Sequence, residues 1–129
     1  METRDAARRW VDCWMRGWRA LDPEQVLEAY ADDCFYLSHP FRRPQSPREY
    51  VEWAFAEEES AEPWFGEPAV DGDRAAVEWR AYVRENGRDV TIAGTSLLRF
   101  REDGLCDEQR DAWAVQEGQV ERRSPQQET

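Results

Sequence analysis

Lysine is absent from this 129-residue chain: all seventeen basic side chains are arginine, scattered among twenty-eight acids for a formal net charge of -11. A surface of that sign with no basic cluster repels a phosphate backbone, which excludes nucleic acid as an expected partner. Histidine occurs once, as His39, and the three cysteines, Cys13, Cys34 and Cys106, form no CxxC pair. A metal site is therefore not expected, and the cysteines read as reduced thiols of a cytoplasmic protein. No apolar run approaches a membrane span, and none follows the charged segment from Met1 to Arg9, so neither a membrane partner nor a secretory leader is expected. Without repeats or low-complexity stretches, the length fits one domain over 1–120, with 121–129 as a flexible polar tail.

What is abundant is β-prone sequence punctuated by turns. Asp71-Gly72, Asn86-Gly87 and Asp103-Gly104 divide the stretch from Arg74 to Gln116 into three long strands of an antiparallel meander. In the first, Val77, Trp79, Ala81 and Val83 alternate with Glu78, Arg80, Tyr82 and Arg84, so the apolar set faces a core. In the second, Val90, Ile92, Ser96, Leu98 and Phe100 share a face with Gly94, which is expected to mark a bulge or bend. Leu97 beside Leu98 predicts that the outer face is covered too, by a second copy in a homodimer. In the third, period 2 places Gln109 and Asp111 on the side of Trp113 and Val115. An inward acid must be paired, meet a cavity or be neutral, because burying an unpaired carboxylate costs several kcal/mol.

Before the meander the pattern is helical. Trp10, Trp14, Trp18 and Leu21, with Ala7 and Val11, form one stripe of a helix from about Arg4 to Leu21. Asp22-Pro23-Glu24-Gln25 reads as a capping box that opens a second helix carrying Val26, Leu27 and Tyr30 inward to Asp32-Asp33. Cys34 to Ser38 is a short strand that ends at His39-Pro40. Ser46-Pro47-Arg48-Glu49 caps a third helix, which the run Glu57, Glu58, Glu59 and Pro63 ends; Trp64 to Val70 follows as an edge strand. Three N-terminal helices packed on a strongly curved, mixed or antiparallel sheet make an α+β cone with an internal cavity.

That order, together with Tyr30-Ala31-Asp32-Asp33, Ser38-His39-Pro40-Phe41-Arg42, Gly94-Thr95-Ser96-Leu97-Leu98-Arg99-Phe100 and Gln109-Arg110-Asp111-Ala112-Trp113, resembles the nuclear transport factor 2-like superfamily, in particular its SnoaL-like (polyketide cyclase-like) branch. The resemblance implies a domain over about residues 4–117 whose relatives include isomerases, cyclases, hydrolases, dehydratases and non-catalytic binders. By analogy with ketosteroid isomerases, His39 stands at the general-base position, Trp14 at the first oxyanion donor and Ser96 at the second. By analogy with epoxide hydrolases, Arg110-Asp111 matches part of a Trp-Arg-Asp run, while Val77-Glu78-Trp79-Arg80 lacks that branch's Arg-x-Asp pair.

Read from the residues themselves, His39 and Asp111 form a candidate catalytic pair, since a carboxylate beside a histidine fixes its tautomer and supports proton transfer. Asp111 could equally pair with Arg42 or Arg80. Trp14, Trp18, Tyr30, Phe35, Trp53, Trp79, Ser96 and Trp113 are the candidate ligand-binding residues around a small apolar molecule, with no cofactor and no metal. The expected activity is cofactor-independent isomerase or cyclase chemistry on an apolar carbonyl compound. The alternatives are a binding or dimerisation module, an epoxide-hydrolase-like enzyme, or partner binding through Glu78, Arg80, Tyr82 and Arg99 on the outer sheet face.

Overall fold

The computed structural model describes residues 1–125. Its elements are α1 (Thr3–Ala20), α2 (Pro23–Leu27), β1 (Tyr30–Leu37), α3 (Pro47–Ala56), β2 (Glu58–Phe65), β3 (Ala69–Asp71), β4 (Arg74–Glu85), β5 (Arg88–Phe100) and β6 (Cys106–Glu117). The strands form one mixed sheet in the order β1-β6-β5-β4-β2, with β3 also on β4; β1 runs parallel to β6 and the other pairings are antiparallel. The architecture is therefore α+β with a curved mixed sheet, as expected, but only two of the three helices are long.

The meander follows the turn signals closely. Asn86 (φ 51°) and Gly87 (φ 74°) both take positive φ between the paired Glu85 and Arg88, the two-residue type I′ geometry whose twist matches the flanking strands. Gly94 is not a bulge: pairing to β6 is unbroken from Val90 to Arg99, and the irregularity falls between Arg99 and Phe100. The glycine is needed because Trp113 crosses so closely that a Cβ at position 94 would stand 2.6 Å from the Trp113 Cβ.

Three boundaries differ from expectation. The second helix is a single turn, and Tyr30, Asp32 and Asp33 belong to β1, where backbone pairing with β6 outweighs weak helical propensity. Asp22 does cap α2, accepting from the Glu24 N–H, but Gln25 donates to the Asp22 carboxylate and does not accept from the Asp22 N–H, which goes to the Gly17 carbonyl, so the capping box is incomplete. The edge strand spans Glu58–Phe65 and includes Pro63, which an edge position tolerates. Ser46 caps α3 as expected, accepting from the Glu49 N–H at 3.1 Å.

The chain after β6 lies along the outer face of the sheet. Gly118 donates to the Asp89 carbonyl, Val120 donates to Thr91 Oγ1 and accepts from Arg80, and Arg122 grips Glu78 with two hydrogen bonds while lying over the Trp64 ring. The segment thus covers Glu78 and Arg80 on the outer face; the rest of the expected tail, 126–129, lies outside the described residues. Elsewhere on that face Leu97 is 55% exposed. The core joins the α1 stripe of Ala6, Ala7, Trp10, Cys13, Trp14 and Trp18 to Val77, Trp79, Ala81 and Val83 of β4, and all three cysteines are buried free thiols.

Candidate functional site

A cavity of about 320 Å³ lies between the helices and the concave face of the sheet. Its wall takes Trp10, Trp14 and Trp18 from α1, Tyr36 from β1, Tyr50, Trp53 and Phe55 from α3, Glu58 and Phe65 from β2, Trp79 and Glu85 from β4, Ile92 and Ser96 from β5, and Gln109, Asp111, Trp113 and Val115 from β6. A 3.6-residue stripe and a 2-residue alternation meet here, so aromatic positions from two kinds of element face one space.

Asp111 is the polar centre of that wall. Ser96 Oγ stands 2.6 Å from Oδ1, Gln109 Nε2 lies 3.0 Å from Oδ1 and 3.2 Å from Oδ2, and the Tyr36 hydroxyl is at 3.5 Å from Oδ2. Each donor is itself oriented from behind. Trp79 Nε1 donates to Ser96 Oγ at 2.9 Å, which leaves the serine proton for Asp111. Gln109 Oε1 accepts from the Tyr30 hydroxyl and from Trp10 Nε1, which turns the amide N–H groups toward Tyr36 and Asp111. Trp14 Nε1 donates to the Tyr30 hydroxyl at 2.7 Å. A run of donors that begins on α1 thus ends on one carboxyl group.

Burial pushes Asp111 up to about 7, and the hydrogen bonds from Ser96, Gln109 and Tyr36 limit the rise by favouring the charged form. Desolvation likewise raises Tyr36 and Tyr30 well above the ordinary phenol range, so both hydroxyls stay protonated and serve as donors. Glu58 is a second such group: burial, helped by the charge of Glu85, pushes it up to about 7 against the hydrogen bond from Trp18 Nε1 to Oε1 at 2.8 Å. Arg42 supplies positive charge to the wall, its guanidinium 5.3 Å from the Trp53 ring centre and 5.0 Å from that of Trp113, with Nη1 donating to Ser38 Oγ at 3.2 Å.

Of the candidate ligand-binding residues, Trp14, Trp18, Trp53, Trp79, Ser96 and Trp113 line the cavity. Tyr30 sits behind the wall as the link between the α1 indoles and Gln109. Phe35 faces outward, 38% exposed, under the Arg110 guanidinium at 4.8 Å; alternation on β1 sends Cys34, Tyr36 and Ser38 inward and Phe35 out. Trp14 is no free donor, since Tyr30 takes its N–H, and Ser96 serves Asp111. Arg110 is spent outside on Glu108.

His39 and Asp111 are not brought together. The imidazole lies beyond the end of β1, off the cavity wall, 5.0 Å from the Trp113 ring and with Nδ1 facing the Phe41 N–H at 3.5 Å. His39 stands past Leu37, the last residue of β1, and is half-buried, whereas Asp111 finds its partners in Ser96, Gln109 and Tyr36 and pairs with neither Arg42 nor Arg80. Tyr36, Tyr50, Arg42 and Glu58 were not foreseen as wall residues. Tyr36 was not legible, because the inward face of β1 follows from its pairing with β6, where Tyr36 meets Gln109; nor was Glu58, because the register shift between Glu58 and Ser60 breaks the alternation of β2.

Among the described residues no group of three His, Cys, Asp or Glu side chains could hold a metal ion, and no helix is long and apolar enough to cross a membrane. A search of curated proteins finds no significant match. Among solved structures, the fold is similar to the epoxide hydrolase/cyclase-like enzyme SalBIII of pyran ring formation in the polyether salinomycin, at a TM-score of 0.74 and 17% identity over 89% of this chain and 99% of that one. It is similar to an LEH-like epoxide hydrolase of M. tuberculosis (TM-score 0.70, 17% identity, 88% of this chain and 86% of that one) and to PrhC of Penicillium brasilianum (0.73, 19%, 88% and 83%). At these identities the likeness concerns the fold. The family model described as SnoaL-like domain matches residues 7–109, and the chain belongs to that family within the nuclear transport factor 2-like superfamily.

Proposed function

We propose that this protein is a cofactor-independent proton-transfer enzyme, of isomerase or cyclase type, that holds a small apolar carbonyl compound in the cavity and exchanges its proton with Asp111. The observation that carries this reading is the convergence of donors on a buried carboxyl group that titrates near 7. A carboxylate held by three donors is oriented, and one with a pKa near the working pH is both a competent base and, once protonated, a competent acid. Oδ2 carries the weaker contacts and is the oxygen with capacity left for a ligand.

In the proposed step Oδ2 takes the proton on the carbon next to the carbonyl. The C–H electron pair forms the C=C bond of an enolate, and the negative charge moves to the carbonyl oxygen. Arg42 and the Tyr50 hydroxyl, both on the wall, supply the charge and the hydrogen bond that stabilise that oxygen. The protonated Asp111 then returns the proton to the same or a conjugated carbon, so no redox partner is needed. The epoxide-opening alternative keeps an acid in Asp111 but lacks an inward arginine at position 110.

The test is deuterium exchange. Cyclic ketones of a size to fit the cavity are incubated with the protein in D2O and followed by NMR. Asp111-dependent incorporation at the α carbon is expected, falling by about 100-fold or more in Asp111→Asn. Incorporation that persists in Asp111→Asn would overturn the assignment. Bound ketone with no exchange would leave a binding module.

A further inference from the structure

Glu58 enters the cavity from β2, and among the described residues its carboxyl group receives a single hydrogen bond, from Trp18. It has no ion pair among the described residues, although glutamates beside it on the same strand do: Glu59 stands 3.7 Å from Arg84 and Glu62 stands 3.4 Å from Arg19. The difference follows from direction, since those two face outward and Glu58 faces a space walled by rings. Trp18 packs edge-on to Trp14 at 5.7 Å and to Trp79 at 5.9 Å, and Phe55 meets Trp14 edge-on at 6.3 Å. All four rings line the cavity with Glu58.

A carboxylate drawn out of water without a counter-ion is costly, and a partner that supplies positive charge relieves the cost. Ring faces carry negative potential, attract a cation and leave an anion unrewarded. Both properties select the same guest. We infer that the molecule bound here carries a basic nitrogen, as a protonated amine or a quaternary ammonium, seated against Glu58 within the box of Trp14, Trp18, Phe55 and Trp79. The other charges of the wall agree with this polarity. Glu57 and Glu85 also line the cavity, while Arg42 lies between the rings of Trp53 and Trp113, outside the ring box. The inference deepens the proposed function, giving its carbonyl compound a basic nitrogen in place of a wholly apolar frame, and rests on the cavity being the substrate site, but not on Asp111 chemistry.

The probes are benzyltrimethylammonium and neopentylbenzene, a charged and a neutral molecule of the same shape, titrated against the full chain at 0.15 M salt and read by tryptophan fluorescence. The cation is expected to bind at least about tenfold more tightly than the neutral isostere. In Glu58→Gln that advantage should vanish, with affinity for neopentylbenzene unchanged. Equal affinities in the wild-type protein, a comparison that needs no variant, would overturn the inference, as would a cation preference that survives Glu58→Gln. Equal affinities alongside Asp111-dependent exchange would leave the proton-transfer reading standing.

Discussion

In the proposed reaction one side chain, Asp111, exchanges the proton, and the hydrogen bonds of its neighbours tune it. Because the hydrogen bond from Ser96 favours the charged form, Ser96→Ala should move the Asp111 pKa further up. The acid limb of a pH–rate profile for α-proton exchange should shift to higher pH by a comparable amount, and exchange at pH 7 should fall several-fold. A profile that stays in place would mean that another group titrates. His39→Ala should leave exchange within about threefold of wild type, since the ring packs on Trp113 off the cavity wall. A loss as large as that in Asp111→Asn, at unchanged Tm, would return His39 to the centre of the mechanism.

At the scale of elements, two glycines show how closely the cavity wall is built. A Cβ at Gly94 would collide with the Ala112 carbonyl and the Trp113 Cβ across the β5–β6 ladder. A Cβ at Gly17 would strike the Val26 side chain and come within 2.9 Å of its backbone nitrogen, where α1 crosses α2. Both obstacles include backbone, so neither can swing aside. Gly94→Ala should therefore cost about 2 kcal/mol or more in denaturant unfolding, on the scale of overpacked cores, and should displace Trp113 from the wall. An effect within about 0.5 kcal/mol would show that the ladder is looser than its pairing indicates. The register shift in β2 acts in the other direction, turning Glu58 inward where regular alternation would have presented Glu59.

For the whole molecule, burial of two acids sets an unusual pH dependence. Asp111 and Glu58 both have folded-state values near 7, above their unfolded values of about 4. The folded state therefore holds those protons more tightly, so their contribution is favourable below about pH 4 and is lost as pH rises from about 4 to 7. The exposed, arginine-paired carboxyls Glu24, Glu78 and Asp103 and the half-buried Glu108 are lowered and act in the opposite sense below about pH 4.5, but surface pairs of this kind are worth little. Stability should consequently be greater near pH 5.5 than near pH 8. Asp111→Asn should remove part of that slope and raise stability at pH 8 by on the order of 2 kcal/mol, measured by urea unfolding at several pH values. A variant with the wild-type slope would show that Asp111 is ionised without penalty.

Local periodicity and turn chemistry determined the larger part of this protein. The indole stripe of α1, the type I′ signal at Asn86-Gly87 and the period-2 pattern of β4 to β6 each depend on neighbours within a few residues, so the meander, the curved-sheet class and the inward aim of Asp111 are legible in the sequence. What tertiary structure decided was set by pairing across distance. Parallel addition of β1 to β6 turned Tyr36 inward and Phe35 away, and the shifted β2–β4 register put Glu58 in the cavity. The packing of α1 against Tyr30 and Gln109 aimed a chain of donors at one carboxyl group. The face presented by a short strand is fixed by the partner whose backbone it meets, and that partner here lies some seventy residues away along the chain.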